Sequence, residues 1–464
     1  MKGLLILAAA ATQPLANGRW IVPAIAWIAP MLLLRVVRVQ RRGLAIGWLV
    51  FTLGWAVQWW EIINLPRAWF FLVALGCGTA GFVPYCADRL IARRLHGIAS
   101  TLVFPAAQAT TEWLLATFTP NGSWGSLAYT QANDLPLLQL ASITGIYGVS
   151  FLIGWFAAIA NFAWEHRYWT PLSMRAVATF VATMTVVMGY GGLRLLADSR
   201  DARALRAATV APSLPRAHDP TLAAEALDDL YSRSTALAAA GAKLIVWPED
   251  SFFVDKRDEA TVLAHAVQFA QQRRIFLTLS YGARLDASTP RYENKMTLVT
   301  PSGDVAWQYL KNHPVPGHEA SIVTRGEGGP AQFVSPDGRF AGGICYDADF
   351  PALFQRAGRE DADLLIVPAD DWRAIDPIHA RMTVLRGIEE GASVVRAAMN
   401  GLSIATDAYG RVIASDDYFS GADHTMIATV PIAHVPTIYS RVGDTFAWLC
   451  ALGLVALALR TSRK

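Results

Sequence analysis

Charge is what this chain has least of. Only 17% of its 464 residues are Asp, Glu, Lys or Arg, against 53% hydrophobic. A chain this long and this apolar does not read as one ordinary water-soluble domain. The net charge of +3 is small and sits mostly in short loops, so nucleic-acid binding has little support. Cysteine is scarce too: Cys77, Cys86 and Cys450 lie in or beside apolar runs, which leaves Cys345 without a local disulfide partner. No internal repeat and no low-complexity linker is evident. His313, His318, His379, His424 and His434 lack a metal-ligand spacing and read as ordinary polar residues. Gly326-Glu327-Gly328-Gly329 reads as a turn, with no helix after it to make a phosphate cradle.

What is present is a series of apolar runs, near 3–16, 20–34, 44–60, 68–84, 97–117, 139–164, 176–197 and 445–460. A bilayer-spanning helix needs about 20 such residues. Several runs are long enough; the first two and the last are short. The segment after Lys2 has a second reading, as a signal-peptide core. Basic loops stay cytoplasmic. Arg35, Arg38, Arg41 and Arg42 form one, Arg89, Arg93 and Arg94 another, Arg167 and Arg175 a third, and Arg460, Arg463 and Lys464 close the chain. In and out then alternate correctly with about eight spans and the amino terminus inside. The expected organisation is a transmembrane helical bundle over 1–197, a globular domain over 198–440 on the outer face, and a last helix with basic tail over 441–464. Residues 198–206 read as a short tether.

Within the globular part, strand-like runs alternate with helix-like ones. Strands are expected at 207–211, 243–247, 275–281, 295–300, 305–309, 340–344, 363–367, 393–399, 402–407, 411–414 and 426–430. Helices are expected at 221–240, 260–273 and 378–390. That alternation predicts a layered α/β fold.

Three residues end strand-like runs in order. Glu249 follows Leu244-Ile245-Val246-Trp247-Pro248, Lys311 follows Trp307-Gln308-Tyr309-Leu310, and Cys345 follows Gly342-Gly343-Ile344. A thiolate is the attacking species of cysteine. A carboxylate can take the thiol proton and return it to the leaving group. A fixed ammonium favours the thiolate and stabilises an oxyanion, by about 3–4 kcal/mol per donor in such sites. The backbone N–H of Tyr346 is a candidate second donor. A lone cysteine is more often a buried structural thiol; the flanking residues argue against that here.

Trp247-Pro248-Glu249, then Tyr309-x-Lys311-x-His313-x-Val315-Pro316-x-x-Glu319, then Gly342-x-x-Cys345-Tyr346-x-x-x-Phe350-Pro351 together resemble the nitrilase, or carbon–nitrogen hydrolase, superfamily. The stretches 378–381, 386–391 and 396–401 are similar to it as well. The resemblance implies an αββα sandwich with Glu249, Lys311 and Cys345 as catalytic triad and Glu319 as a second pocket glutamate. Glu112-Trp113-Leu114, the stretch 124–131, Leu138-Gln139-Leu140-Ala141 and Gly145-Ile146-Tyr147-Gly148 look like the membrane-bound apolipoprotein N-acyltransferase branch. That branch implies a bacterial inner-membrane protein with its catalytic domain on the periplasmic face. Cys345 would take an acyl chain from a phospholipid and pass it to the α-amine of a lipoprotein's diacylglyceryl-cysteine, with no metal or organic cofactor. An amidase of the same fold is the alternative, and a catalytically idle scaffold a more distant one.

Departures from the branch are Asp347 in place of Glu, Ala369-Asp370-Asp371-Trp372 in place of Asn-Asp-Ala-Trp, and a loop after Lys311 that reads Pro314-Val315-Pro316-Gly317-His318-Glu319 without the usual Leu-Val-Pro-Phe-Gly-Glu-Tyr-Val-Pro wording. Glu112 lies inside an apolar run, where an ionisable group is costly; it is expected near the outer boundary, bonding neighbouring helices. Trp59, Trp60, Trp69, Trp124 and Trp169 are expected to be interfacial anchors.

Overall fold

The computed structural model describes residues 2–166, 170–197, 203–212, 220–286, 289–420 and 423–462. Arg167, Trp169, Arg463 and Lys464, on which loop and anchor expectations fell, lie outside the described residues. The chain divides into two compact units, 1–196 with 442–464, and 197–441.

The first unit is helical. Among the described residues, three helices are long and apolar enough to cross a membrane: Arg67–Arg94, Ile146–Glu165 and Pro171–Leu195. Shorter apolar helices cover Lys2–Leu15, Gly43–Gln58, Leu135–Thr144 and Thr445–Thr461, and helices also cover Pro23–Val39 and Val103–Phe118. Ile146–Glu165 is buried along most of its length, whereas Pro171–Leu195 turns residues such as Val186 and Leu193 outward. An apolar outer face on a long helix suits a lipid environment.

Several boundaries differ from the sequence expectation. The run at 139–164 is two elements, because Gly145 adopts a positive φ of 63° between Ala141–Thr144 and Ile146–Glu165. Arg35 and Arg38 belong to the helix Pro23–Val39 rather than to a loop. Arg38 makes a two-pronged pair with the buried Asp88, at 2.8 and 2.7 Å, and Arg35 bonds Glu165 at 3.1 Å. Trp59 is no interfacial anchor: it is buried, with its ring 5.5 Å from Trp55 and 5.8 Å from Trp124. Glu112 is buried and accepts from Gln108 on its own helix (2.9 Å) and from Ser126 Oγ (2.7 Å) and the Leu127 N–H (3.1 Å) in the segment that follows. Ser150 on the helix Ile146–Glu165 bonds the carboxyl as well, so Glu112 ties its own helix to a neighbour as expected.

The second unit is a sandwich. β1 (Ala204–Val210), β2 (Leu244–Val246), β3 (Phe253–Asp255), β4 (Phe276–Arg284), β5 (Tyr292–Val299) and β6 (Val305–Leu310) build one sheet. The other runs through β7 (Ala331–Ser335), β8 (Gly338–Gly342), β9 (Leu364–Asp370), β10 (Ser393–Met399), β11 (Leu402–Thr406) and β12 (Val412–Asp417). β13 (Thr425–Pro431) returns to the first sheet beside β1, giving seven and six strands. Of the tether expected over 198–206, residues 198–202 lie outside the described residues, and Ala204 already belongs to β1, where it pairs with Pro431.

Period-two alternation sorts the side chains into layers. Leu244 and Val246 of β2 and Leu364 and Ile366 of β9 face one shared core between the sheets. Ile245 and Trp247 face Leu230, Tyr231 and Phe269 on the helices Pro220–Ala239 and Glu259–Arg273. Leu365 and Val367 face Phe354 and Ala357 on the helix Pro351–Arg359. The layers are therefore helix, sheet, sheet, helix.

Direction places the site. β1, β2 and β4 are mutually parallel, as are β8, β9 and β10. β5 runs against β4, and β6 against β5, so β6 ends at the same edge as β2 and β4. Ligands in such sheets bind beyond the carboxyl ends of the strands.

Candidate active site

Glu249 lies just beyond β2, Lys311 directly after β6, and Cys345 just beyond β8. The structure brings the first two into contact between the sheets, with the third beside them. Lys311 is fully buried and donates to Glu249 Oε1 at 2.7 Å and to Glu319 Oε2 at 2.6 Å. Glu249 also accepts from Asn294 Nδ2 (2.7 Å) and from the Asp370 N–H (2.9 Å), and the Cys345 thiol beside it is directed at the Asp370 carbonyl at 3.9 Å. The carboxylate therefore keeps acceptor capacity for the thiol proton. Glu319 accepts in addition from the Val315 N–H at 2.8 Å, which anchors the loop after Lys311. Tyr346 is buried in the short 3-10 turn that Cys345 opens, with its ring edge-on to Phe350.

The backbone here is held against its preferences. Asp250 (φ 47°), Cys345 (φ 49°) and Asn400 (φ 53°) all occupy the left-handed region. Each conformation disfavours a residue with a Cβ by about 1–3 kcal/mol, and such residues cluster where surroundings impose them.

Burial works on the Cys345 thiol first, and the Glu249 charge adds to it, pushing the thiol up to about 12 despite Lys311 and His379. For Glu249, burial acts upward, but Lys311 and the hydrogen bonds outweigh it and hold the carboxyl below its ordinary range. Lys311 loses by burial and gains more from Glu249 and Glu319, so its ammonium is held firmly. The resting pair is a thiol beside a carboxylate, not a preformed thiolate. Proton transfer then accompanies attack on a carbonyl rather than preceding it.

A second group meets the sulfur, and sequence reasoning passed over it. Cys345 Sγ, an Asp371 oxygen and a His379 ring nitrogen lie within 4.8 Å of one another. Asp371 accepts both from His379 Nδ1 at 2.7 Å and, through both oxygens, from Arg396 at 2.8 Å. His379 Nε2 lies 3.3 Å from Asp349 Oδ1. These donors and acceptors already engage one another, so the trio does not offer a set of free metal ligands. The apparent departure at Asp347 also changes meaning. Its carboxylate accepts from Tyr309 Oη (2.8 Å), the Ile344 N–H (3.0 Å) and the His313 N–H (2.8 Å) and lies 2.9 Å from His313 Nδ1, bracing the turn from behind. Asp370, in the other departing stretch, accepts from Asn400 at 2.8 Å.

Residues 206–438 match the carbon–nitrogen hydrolase family. The chain belongs to that family. Residues 3–159 match the N-terminal domain of apolipoprotein N-acyltransferase, which places this carbon–nitrogen hydrolase in the membrane-bound branch. Two similar relatives bear the name apolipoprotein N-acyltransferase. That of Geobacter metallireducens is 29% identical over 80% of this chain and 75% of its own length. That of Bradyrhizobium diazoefficiens is 29% identical over 77% and 73%. A solved amidase of Nesterenkonia sp. aligns with 53% of this chain and 97% of its own, at 19% identity and a TM-score of 0.42.

Two predictions concern the frame of this hydrolase site. Asp347→Ala leaves the buried Tyr309 hydroxyl and Ile344 N–H without their acceptor, at about 1–3 kcal/mol each. The thermal midpoint of the full chain is expected to fall by roughly 4–24 °C; an unchanged midpoint would deny Asp347 its bracing role. The other concerns acid. Burial pushes the Asp371 carboxyl up, but Arg396 and His379 outweigh it and hold it below its ordinary value. A depressed carboxylate stabilises the fold above its unfolded value, about pH 4, and the gain is lost as pH falls through the folded value. Thermal scans between pH 3 and 7 should show an acid limb below about pH 4 that flattens in Asp371→Asn. That variant should also start lower, by about 3–5 kcal/mol, because Arg396 loses its buried partner.

Proposed function

We propose that this chain is an apolipoprotein N-acyltransferase that moves an acyl chain from a phospholipid to the α-amine of a lipoprotein's diacylglyceryl-cysteine. The observation that carries the reading is a union in one chain: a match to the N-terminal domain of that enzyme, and a carbon–nitrogen hydrolase domain with Glu249 and Lys311 in contact beside Cys345. Cys345 Sγ attacks the ester carbonyl while Glu249 takes its proton. The tetrahedral oxyanion is met by Lys311 and the Tyr346 N–H. Collapse expels the lysophospholipid alkoxide, which takes the proton from Glu249 and leaves a thioester. The amine then attacks, Glu249 receives its proton, and that proton returns to the departing sulfur. The products are an amide and the original thiol.

In this reading, 1–197 is a transmembrane bundle, 198–440 the catalytic domain, and 441–464 a final span with a basic tail, about eight spans in all. The alternation of basic and non-basic loops supports an inner-membrane location with the catalytic domain on the periplasmic face. Both substrates are lipid-anchored, so a catalytic domain beside the same bilayer extracts neither, and proximity lowers the barrier by several kcal/mol.

The test uses the full chain in nanodiscs with phospholipid and a synthetic diacylated lipopeptide, followed by mass spectrometry. The lipopeptide mass should rise by one acyl chain. No rise, together with cleavage of a simple amide, would replace the transferase by the amidase.

A further inference from the structure

The sulfur has two cationic neighbours, and the proposed mechanism uses only Lys311. We propose that His379, held as an imidazolium between Asp349 and Asp371, is a positioning residue that sets the reactivity of the Cys345 sulfur. The inference rests on the reading of Cys345 as nucleophile.

His379 opens the buried helix Ile378–Glu390 and is 1% exposed. Nδ1 meets Asp371 at 2.7 Å and Nε2 faces Asp349 at 3.3 Å. A neutral imidazole donates from one nitrogen only, whereas an imidazolium donates from both. One carboxylate hydrogen-bonded at Nδ1 and a second within ion-pair range of Nε2 together favour the charged form. Burial acts to remove the proton, but Asp349 and Asp371 outweigh it and hold the proton well above the ordinary range. The titratable and charged groups facing the ring are Asp349, Asp371, the Cys345 thiol and Arg396, which lies 3.1 Å from Nδ1. Arg396 shares Asp371 with the ring. Asp349 sits four residues after the nucleophile in the same turn, so one segment fixes both the sulfur and a ligand of its cation.

A unit charge within 5 Å of a thiol acts strongly in a buried site. The flanking carboxylates offset much of it, and what remains acts downward on the thiol. Thiolate is consumed in the first half-reaction and expelled in the second, so the same charge assists attack and departure. A merely structural histidine would fill the same space without influencing sulfur acidity.

The test needs no lipid. The full chain in nanodiscs is treated with iodoacetamide at pH 8, and Cys345 occupancy is followed by peptide mass. His379→Gln keeps the size and an amide but not the charge. Less thiolate, partly offset by the greater nucleophilicity of a more basic sulfur, should slow alkylation about threefold. His379→Lys should lie closer to the unmodified chain. An unchanged rate in His379→Gln, or equal slowing in both variants, overturns the inference. A third arm is independent of variant folding: 15N histidine spectra of the unmodified chain should show both His379 nitrogens protonated at pH 8, and a neutral ring overturns it. Slower alkylation in His379→Gln with no acyl transfer in the lipopeptide assay would sink the proposed substrates and leave this inference standing.

Discussion

Cys345→Ala is expected to abolish the gain in lipopeptide mass, by roughly four orders of magnitude or more. No other group replaces a nucleophile that must bond to the acyl carbon. The sulfur is 3% exposed and belongs to the core between the sheets. Removing it leaves only a small void, and alanine meets the same φ of 49° that cysteine already tolerates. The unfolding midpoint should therefore change little while the activity vanishes. With labelled phospholipid and no acceptor, the unmodified chain should acquire one acyl group at Cys345, labile to hydroxylamine. Label elsewhere, or transfer persisting in the alanine variant, would remove the thioester from the mechanism.

Lys311→Met has the second-largest expected effect, and it acts on fold and chemistry together. The ammonium is fully buried between Glu249 and Glu319. Without it two carboxylates face each other across a dry gap, and one must take up a proton. Breaking a buried pair in this way is destabilising by about 3–5 kcal/mol. The oxyanion also loses a donor, which alone lowers turnover by about 10²–10³. The two losses can be separated. Adding Glu319→Gln to Lys311→Met removes one stranded charge and should recover part of the unfolding midpoint without recovering transfer. Recovery of transfer as well would mean that Lys311 serves stability alone.

Glu249, Lys311 and Cys345 were legible as candidates because each follows a strand-like run at its end. Leu244-Ile245-Val246 is buried on both faces, so a carboxylate just beyond it stands at the rim of a core. His379, Asn294 and Asp371 gave no such signal. The approach of Asn294 to Glu249, and of Asp371 and His379 to the sulfur, is set by how β5, β9 and the helix Ile378–Glu390 pack, not by spacing along the chain. β3 and β7 were missed for different reasons. β3 has only three residues, and β7 is half-exposed without clean alternation. The helix Pro351–Arg359 is nine residues long and gives barely two turns of periodicity. In the helical unit the apolar runs located the helices, while Arg38 and Asp88 show what hydropathy overlooks: charges that answer each other between helices.

The pairing of β1 with β13 bears on how the protein is made. Ala204 through Val210 is matched, residue for residue, to Pro431 through Thr425. The earliest strand of the sandwich thus stays unpaired on that side until nearly all of its unit has left the ribosome. A stalled or clipped chain would already contain Cys345, yet lack the closed sheet that aligns Glu249 with it. Unfinished copies should therefore be inert toward lipid rather than partly active.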